Sequence, residues 1–171
     1  AYTVRDGQLL VRDGDYFRPA ELNSKDAERV KGIIKVRDAL RTVLRAQLVP
    51  DADEGQLAAT RKALDATYAD FVKKFGHVTD PKNRRAYRGD PDAPLVAALE
   101  IFKGESRRAG VDIVEKAKIF SERVIEPLKP VEKVDSAEDA LTVSLLELGR
   151  IDWTRMQEVS GKTPDELKTD L

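Results

Sequence analysis

The chain of 171 residues has 36% charged and 41% apolar residues, a balance typical of globular and not of disordered proteins. Its 30 Lys and Arg residues nearly cancel 31 Asp and Glu residues, so the net charge of −1 attracts the whole chain to neither nucleic acid nor anionic membranes. The absence of cysteine and the single histidine, His77, exclude disulfides, thiolate chemistry and histidine metal clusters.

The ends and the apolar runs of the chain give two further expectations. No apolar run is long enough for a membrane span or a signal peptide, so we expect a cytoplasmic protein with no membrane partner. The chain starts at Ala1 in the middle of a β-pattern and ends on a helical residue, Leu171. We therefore expect a piece of a longer protein.

The first segment contains two Asp-Gly pairs, Asp6-Gly7 and Asp13-Gly14, each flanked by residues that favour strands. Asp-Gly between such residues is a strong signal for a tight hairpin turn. We predict a three-stranded antiparallel β-meander over residues 1–22 that packs one face on a neighbouring helix. The residues predicted for that face are Tyr2, Val4, Leu9, Val11 and Phe17.

Residues 23–126 are predicted to form a domain built on a long antiparallel helical hairpin. Apolar residues recur with the spacing of a helix over 24–48 and again over 52–75. Pro50 interrupts the pattern, and Asp51 with Glu54 predicts a capping box for the second helix. Gly76 supplies the stop.

The segment after Gly76 is polar to Asp92, and its element pattern is weaker. Pro94 opens an apolar stretch that predicts a helix of about two turns over Leu95–Phe102. Lys103–Gly110 is predicted as a charged loop. The pattern around Glu115–Phe120 fits either a strand or a short helix.

The last part of the chain is predicted as a linker, residues 127–135, followed by a three-helix unit, residues 136–171. Capping residues Ser136, Asp152 and Thr163 start the three helices. Tight corners between short helices resemble the outline of a helix-turn-helix unit. The residues predicted to pack it are Trp153, Met156 and Leu167. The fold class is therefore mainly α, with a small N-terminal antiparallel β-meander, a long helical hairpin and a C-terminal three-helix unit.

Two patterns that suggest catalysis or ligand binding do not meet the requirements of those functions. Gly161-Lys162-Thr163 resembles the end of a phosphate-binding loop, but Met156 stands where that motif requires glycine. The same residues are explained by a glycine that ends one helix followed by a threonine that caps the next. The carboxylates Asp90, Asp92 and Glu100 lack a metal-ligand or acid-base spacing. We predict no catalytic residue, no metal and no cofactor, and hence a chain that is not itself an enzyme.

The last helix is a poor candidate for reading DNA. A helix-turn-helix places such a helix in the major groove. Asp165, Glu166 and Asp170 outnumber Lys168, so the helix would bring negative charge to a polyanion. The composition favours a structural or protein-docking unit.

The first long helix and the loop after the hairpin are better candidates for nucleic acid. Arg37, Arg41 and Arg45 recur every four residues and share a helix face. If the basic run at 82–88 folds beside that face, together they would hold phosphates, and its tyrosine would stack on an exposed base. The alternative is a solvated face paired with Asp65 and Asp70. The predicted nucleic-acid-binding residues are Arg37, Arg41, Arg45, Lys82, Arg84, Arg85, Tyr87 and Arg88.

Several long sequence segments, which together cover nearly the whole chain, resemble those of one known group of proteins. They are "VRDGQLLVRDGDYFRP", "KGIIKVRDALRTVLRAQL", "LDATYADFVKKFG", "NRRAYRGDPDAPLVAALE", "EKAKIFSERVIEP" and "SAEDALTVSLLELGRIDWTRMQEVSGKTPDEL". The chain resembles a region of very large proteins of bacterial and phage mobile elements. In those proteins it lies between an adenine-specific DNA methyltransferase domain and a superfamily-two, chromatin-remodeller-type helicase.

This resemblance implies a setting and no chemistry for the chain itself. The Asn-Pro-Pro-Tyr methylation motif, the cofactor glycine loop, the Walker lysine and the Asp-Glu box are absent from the sequence. The implied partners are the flanking methyltransferase and helicase domains, with the DNA backbone as a further candidate. We expect a non-catalytic connector or DNA-guiding module; the alternative is a protein-docking module that acts through the three-helix unit.

Overall fold

The structure is a computed structural model that describes residues 1–105, 112–127 and 131–171. The chain divides into two compact units, Ala1–Pro127 and Leu128–Leu171, called here the N-terminal and C-terminal units. The predicted fold class is confirmed: an N-terminal antiparallel sheet and a long helical hairpin are followed by a helical C-terminal unit.

The N-terminal sheet has the strand order β1 (Tyr2–Arg5), β2 (Gln8–Asp13) and β3 (Tyr16–Pro19). Both pairs of neighbouring strands are antiparallel. Asp6 and Gly7 have φ angles of 48° and 75°. Two successive positive φ angles are what a type I′ hairpin turn requires, so the first Asp-Gly pair acts as predicted.

The prediction of which sheet residues pack inward is wrong for Phe17, which lies on the other face, and for Val4, which lies on the predicted face but is 37% exposed. Tyr2 pairs with Val11 and Val4 with Leu9, so these four side chains share a face, and Leu9 is buried. Phe17 pairs with Arg12 and therefore lies on the opposite face. The pairing register of β3 with β2 puts Phe17 on that opposite face. The hairpin signal in the sequence does not determine this register.

The helices α1 (Ser24–Gln47) and α2 (Glu54–Phe75) form the predicted antiparallel hairpin. Lys74 near the end of α2 pairs with Glu28 near the start of α1 at 2.9 Å. A Cβ atom at Gly32 would lie only 2.9 Å from Phe71 Cδ2. Glycine at this position therefore lets the two helices approach closely.

The cap of α2 differs from the prediction. The Asp53 carboxylate, and not that of Asp51, accepts a hydrogen bond from the Gln56 amide at 2.8 Å. Asp51 has a φ angle of 53° within the turn. Since the chain needs a left-handed residue after Pro50 to reverse direction, the helix begins two residues beyond the predicted cap.

After the hairpin come the short helices α3 (Pro81–Ala86) and α4 (Ala93–Ala97) and a two-stranded sheet of β4 (Glu100–Glu105) and β5 (Asp112–Lys116). The helix predicted over Leu95–Phe102 is wrong beyond α4, because its last three residues belong to β4 and pair antiparallel with β5. A single 3₁₀ turn, Lys118–Phe120, follows β5.

The sequence around Glu115–Phe120 fitted either a strand or a short helix. The structure has both there, the end of β5 followed by the 3₁₀ turn. The first residues of the predicted charged loop, 103–105, belong to β4. The rest of that loop, residues 106–110, lies outside the described residues. Residues 128–130 of the predicted linker also lie outside them.

The core of the N-terminal unit lies between the helical hairpin and the segments that follow it. Apolar side chains of α1 and α2 pack there against α4, the 3₁₀ turn and the sheet residue Leu9. Its largest buried members include Val30, Ile33, Val36, Leu40, Val43, Leu64, Phe71 and Leu99.

Two segments at opposite ends of the N-terminal unit's sequence are attached to α1. Arg37 donates a hydrogen bond to the Tyr2 carbonyl at 2.8 Å. The buried Gln47 Oε1 accepts from the Val124 and Ile125 amides at 3.0 and 3.1 Å. The first strand and the segment that leads to Pro127 are therefore both held by side chains of the same helix.

The C-terminal unit consists of α5 (Ala137–Leu148), α6 (Trp153–Ser160) and α7 (Pro164–Asp170). Each begins at its predicted cap, and Thr163 with Glu166 forms a complete capping box. The packing prediction is wrong for Trp153, which is 38% exposed, because it occupies the first position of α6 at the edge of the unit. The buried core is Ala137, Ala140, Val143, Met156, Val159 and Leu167. No helix among the described residues is both long and apolar enough to cross a membrane.

Candidate nucleic-acid interface

The basic run after the hairpin folds as α3 and the turn that follows it. Asn83, Ala86 and Tyr87 are buried, and their i, i+3, i+4 spacing defines the inner face of the segment. The remaining side chains of the run are basic and exposed. They are Lys82, Arg84, Arg85 and Arg88, called here the basic cluster.

Buried hydrogen bonds of Asn83 fix α3 in place. Its Oδ1 accepts from Arg29 Nη1 at 2.6 Å, which joins α3 to α1. Its Nδ2 donates to the carbonyl of Phe75, the last residue of α2, at 3.1 Å and to that of His77 at 2.5 Å. A buried amide with its polar atoms bonded holds a segment in one position, so the basic cluster is presented from a fixed support.

The positive charge of the basic cluster is not neutralised by the part of the chain that the structure describes: none of its four side chains forms an ion pair there. The acidic residues that follow in the sequence are engaged elsewhere. Asp90 accepts from the amides of Tyr2 and Asp92. Asp92 accepts from Arg41. The cluster is thus available to an external anion.

The arginine face of α1 is used mostly within the fold. The Arg37 side chain is 7% exposed, donates to the Tyr2 carbonyl and to Asp38, and lies 3.8 Å from Asp92. Arg41 donates to both carboxylate oxygens of Asp92 at 2.8 and 2.7 Å. Arg37 is therefore enclosed by the fold, and the charge of Arg41 is balanced by Asp92 although 40% of the Arg41 side chain is exposed. Neither residue presents an unpaired charge to a phosphate.

The alternative interpretation was that these arginines pair with Asp65 and Asp70, and the contacts of Asp65 do not support it. Asp65 pairs with Lys116 instead of with an α1 arginine. Arg45, the third member of the predicted set, is exposed and forms no ion pair with any described residue. It is the one member of the face that still fits the prediction.

Tyr87 does not have the exposure that was expected of a base-stacking residue. It is 3% exposed, and its ring stacks on Tyr2 with the centroids 6.0 Å apart. Burial raises the pKa of its hydroxyl, the charge of Asp90 raises it further, and Arg37 opposes the shift. Tyr87 therefore fastens the basic run to the first strand, and its ring faces are not open to an unstacked base.

A buried carboxylate at the start of β4 organises the chain after α2. The Glu100 side chain is 1% exposed and accepts hydrogen bonds from the Tyr68 hydroxyl and the Val78 amide at 2.8 Å. It also accepts from the Thr79 amide at 2.9 Å and from the Thr79 hydroxyl. His77 Nδ1 lies 3.3 Å away, so this histidine is partly enclosed and not only a surface residue.

The arrangement around Glu100 is structural, because its lone pairs are occupied by donors of the chain itself. Within the described residues no group of three His, Cys, Asp or Glu side chains is placed to hold a metal ion. The sequence placed Glu100 within the helix predicted over Leu95–Phe102 and gave it no structural role. The β-forming residues Ile101 and Phe102 beside it were the signal that it begins a strand.

The C-terminal unit presents little positive charge on its last helix. Lys162 pairs with Asp170 at 2.7 Å, and Lys168 lies 3.8 Å from Asp165. A different surface is more distinctive. Four large apolar side chains at the end of α5 and after it are between 46% and 81% exposed: Leu145, Leu146, Leu148 and Ile151.

Comparison with known protein families gives a match in the C-terminal part of the chain. Residues 133–171 match the family model described as the winged helix domain of a probable helicase. No curated protein and no solved structure matches the chain. The C-terminal unit is thus similar to a winged helix domain found in a probable helicase, and this similarity associates the chain with helicases.

Proposed function

We propose that the chain is a non-catalytic connector in a larger protein that joins an adenine-specific DNA methyltransferase to a helicase of mobile elements. In this proposal the N-terminal unit contacts the DNA backbone through the basic cluster. The observation that carries the proposal is the cluster itself: four exposed cations, unpaired within the described residues, on a segment held to α1 by Asn83. The helicase association of the C-terminal unit supports the setting.

The chemistry of the cluster suits phosphate. Guanidinium groups bind phosphate oxygens with two parallel hydrogen bonds, and lysine adds a point charge. Contacts of this kind position a protein on DNA without reading its sequence. Because the net charge of the chain is only −1, the attraction depends on this local patch and is sensitive to salt.

The hairpin supports the spacer part of the proposal. At about 1.5 Å per residue, the 24 residues of α1 span about 36 Å, and α2 runs beside it over nearly the same length. A packed pair of this length keeps the distance between its ends fixed. It would therefore set the spacing between the basic cluster and the domains that flank the chain.

A salt series on the complete chain tests the DNA contact. We would measure fluorescence anisotropy of labelled duplex and single-stranded oligonucleotides, with the wild type and with Lys82→Glu/Arg85→Glu. We expect weak, sequence-independent binding that the double variant lowers at least tenfold. For duplex DNA, the slope of log K against log salt should fall by about 1.8, since each lost phosphate contact removes about 0.9.

The matched control carries the same charge change on α2. Lys62 and Lys73 are exposed and, in the described chain, form no ion pair, so Lys62→Glu/Lys73→Glu should leave binding near that of the wild type. If the control loses as much affinity as the cluster variant, only global charge matters. That result, or no measurable binding at low salt, would refute the proposed contact.

The exposed apolar surface of the C-terminal unit favours a second function, docking to the helicase part of the parent protein. Leu146 is 81% exposed and Ile151 54% exposed, and apolar residues clustered on a surface mark interaction sites. Leu146→Glu should lower binding to the flanking helicase domain more than tenfold in a titration of purified components. Thr169→Glu, an exposed change on α7, should not. Equal binding by both variants and the wild type would refute docking through this surface.

A further inference from the structure

A small cleft opens beside two residues of the basic cluster. It has a volume of about 250 Å³ and lies between α1, α4 and the segment from Val78 to Gly89. Its inner wall contains the buried apolar side chains of Ile33, Val78 and Val96, which are 2%, 5% and 3% exposed, together with the buried Asn83 and Tyr87. Arg84 and Arg88 also line the cleft, and both are exposed. We call it the Arg84–Arg88 cleft.

The two arginines lie four residues apart and are both in the unpaired set described above. One site therefore combines an apolar interior with two cations that have no acidic partner in the described chain. Such a site is complementary to a ligand that has a flat or apolar group next to an anion. Drug-sized ligands occupy pockets of about 300–1,000 Å³, so this cleft fits a single small ring and not a larger molecule.

A nucleotide of a single strand has this composition. Its phosphates match the guanidinium groups, and its base has two apolar faces when it is not stacked. Bases within a duplex are covered by their neighbours and cannot enter a cleft without being pulled out of the stack. An acidic peptide has the negative charge, but its carboxylates are borne on flexible side chains and not next to a flat ring.

We infer that the Arg84–Arg88 cleft holds one unstacked base of a single-stranded nucleic acid, with the adjoining phosphates bound by Arg84 and Arg88. This inference rests on the proposed backbone contact of the basic cluster and adds a base-dependent contribution to it. The base takes the place that sequence analysis gave to stacking on Tyr87, but it lies against aliphatic side chains of α1 and α4. Single strands should therefore bind more tightly than duplexes of the same length.

The test separates bases from phosphates. Oligo-dT, oligo-rU, an abasic strand of equal length and a duplex are titrated against the complete chain by anisotropy. In parallel, methyl NMR follows Ile33, Val96 and Ala97, which line the cleft. We expect oligo-dT to bind about tenfold more tightly than the abasic strand, a gain that corresponds to burial of one base face. The three methyl signals should move with oligo-dT and not with the abasic strand.

A variant that fills the cleft supplies a second line of proof. Ala97→Leu adds apolar volume without changing charge, so it should reduce oligo-dT affinity to that of the abasic strand and keep the salt slope. Ala69→Leu, an exposed change on α2, is the matched control and should bind like the wild type. If Ala97→Leu fails to fold, the wild-type methyl shifts decide the question by themselves.

Each outcome supports or refutes a different statement. Equal affinity for oligo-dT and the abasic strand, with unmoved methyl signals, refutes the base site and leaves the backbone contact standing. No binding of any strand at low salt refutes both. If an oligo-glutamate peptide moves the methyl signals more than oligo-dT does, the cleft takes a protein ligand and the inference is wrong. Equal binding of oligo-rU and oligo-dT supports a site for the base and phosphate that does not select the sugar.

Discussion

Two groups of basic residues, close in the fold of the N-terminal unit, have opposite environments. Three arginines of α1 donate hydrogen bonds within the unit: Arg29 to the Asn83 side chain, Arg37 to the Tyr2 carbonyl and Arg41 to the Asp92 carboxylate. The basic cluster on α3 makes no ion pair within the described residues. Since the charges are the same, the difference lies in which face of each helix the fold covers. The first group stabilises the unit, and the second is available for binding.

The largest effect should come from the most completely bonded charged group. Glu100→Gln replaces an acceptor-only carboxylate with a group that carries two donors, so donors of Val78 or Thr79 would face an amide N–H. We expect the free energy of unfolding of the N-terminal unit to fall by about 3 kcal/mol. Urea titration followed by far-UV circular dichroism, which α1 and α2 dominate, measures it.

The control for this change is Glu115→Gln on the neighbouring strand. Glu115 is 61% exposed and pairs only with Lys103 among the described residues, so the change should alter stability by less than about 0.5 kcal/mol. If both variants unfold at the same urea concentration, Glu100 does not hold the chain after α2 as described.

A pair of variants on α1 tests the comparison of the arginines directly. Arg37→Ala should lower the free energy of unfolding by about 2 kcal/mol, because it leaves the partly buried Tyr2 carbonyl without its donor and removes the cation that lies 3.8 Å from Asp92. Arg45→Ala, two turns further along the same helix, should change it by less than about 0.5 kcal/mol. Similar losses for both would show that the arginine face is not divided into bonded and free members.

The basic cluster should behave in the reverse way. Lys82→Ala/Arg85→Ala removes two exposed cations without introducing new charges, so stability should change by less than about 0.5 kcal/mol while affinity for DNA falls. Thermal unfolding and anisotropy on the same samples give both quantities. A clear loss of stability would place these side chains in the first group of the comparison.

The smallest effect is expected in the C-terminal unit at low pH. Hydrogen bonds from Arg155 to Glu147, from the Arg155 amide to Asp152, and from the Thr163 amide and hydroxyl to Glu166 lower the pKa values of these three carboxyls. A lowered folded-state pKa contributes stability that is complete above the ordinary carboxyl pKa and is lost as pH falls through the lowered value.

Trp153 is the only tryptophan in the chain and lies in this unit, so its fluorescence reports there. The urea midpoint from that signal should be constant above pH of about 5 and decrease below it. Arg155→Gln, which removes the guanidinium partner of Glu147, should weaken that decrease. A midpoint that is flat down to strongly acidic pH would contradict the shifts.

The periodic parts of the fold were predictable from the sequence, and the pairings between distant parts were not. The bounds of α1 and of the three C-terminal helices follow from apolar spacing and capping residues, which are local signals. The strand β4 was mistaken for helix because Leu95–Phe102 is a short apolar run, where helix and strand periods cannot be told apart. Its partner β5 is separated from it by residues outside the described set.

The sequence predicted which basic residues form the candidate site, but not which of them are free to bind a ligand. The sequence identified every basic residue of the cluster, but it could not show that Asp92 binds Arg41 or that Tyr2 covers Tyr87. Those contacts join residues more than 50 positions apart in the sequence, and the local spacing of apolar residues does not predict such pairs. The burial of Asn83, Ala86 and Tyr87 was within reach, since their spacing is that of a helix face.

The two attachments to α1 determine how the N-terminal unit carries force. Arg37 holds the first strand at Tyr2, and Gln47 holds the segment before Pro127. The ten residue steps from Arg37 to Gln47 span about 15 Å of continuous helix. A pull applied between Tyr2 and Pro127 is therefore borne in part by α1, through side-chain hydrogen bonds at both ends, alongside the pairing of Tyr2 with Val11 in the sheet.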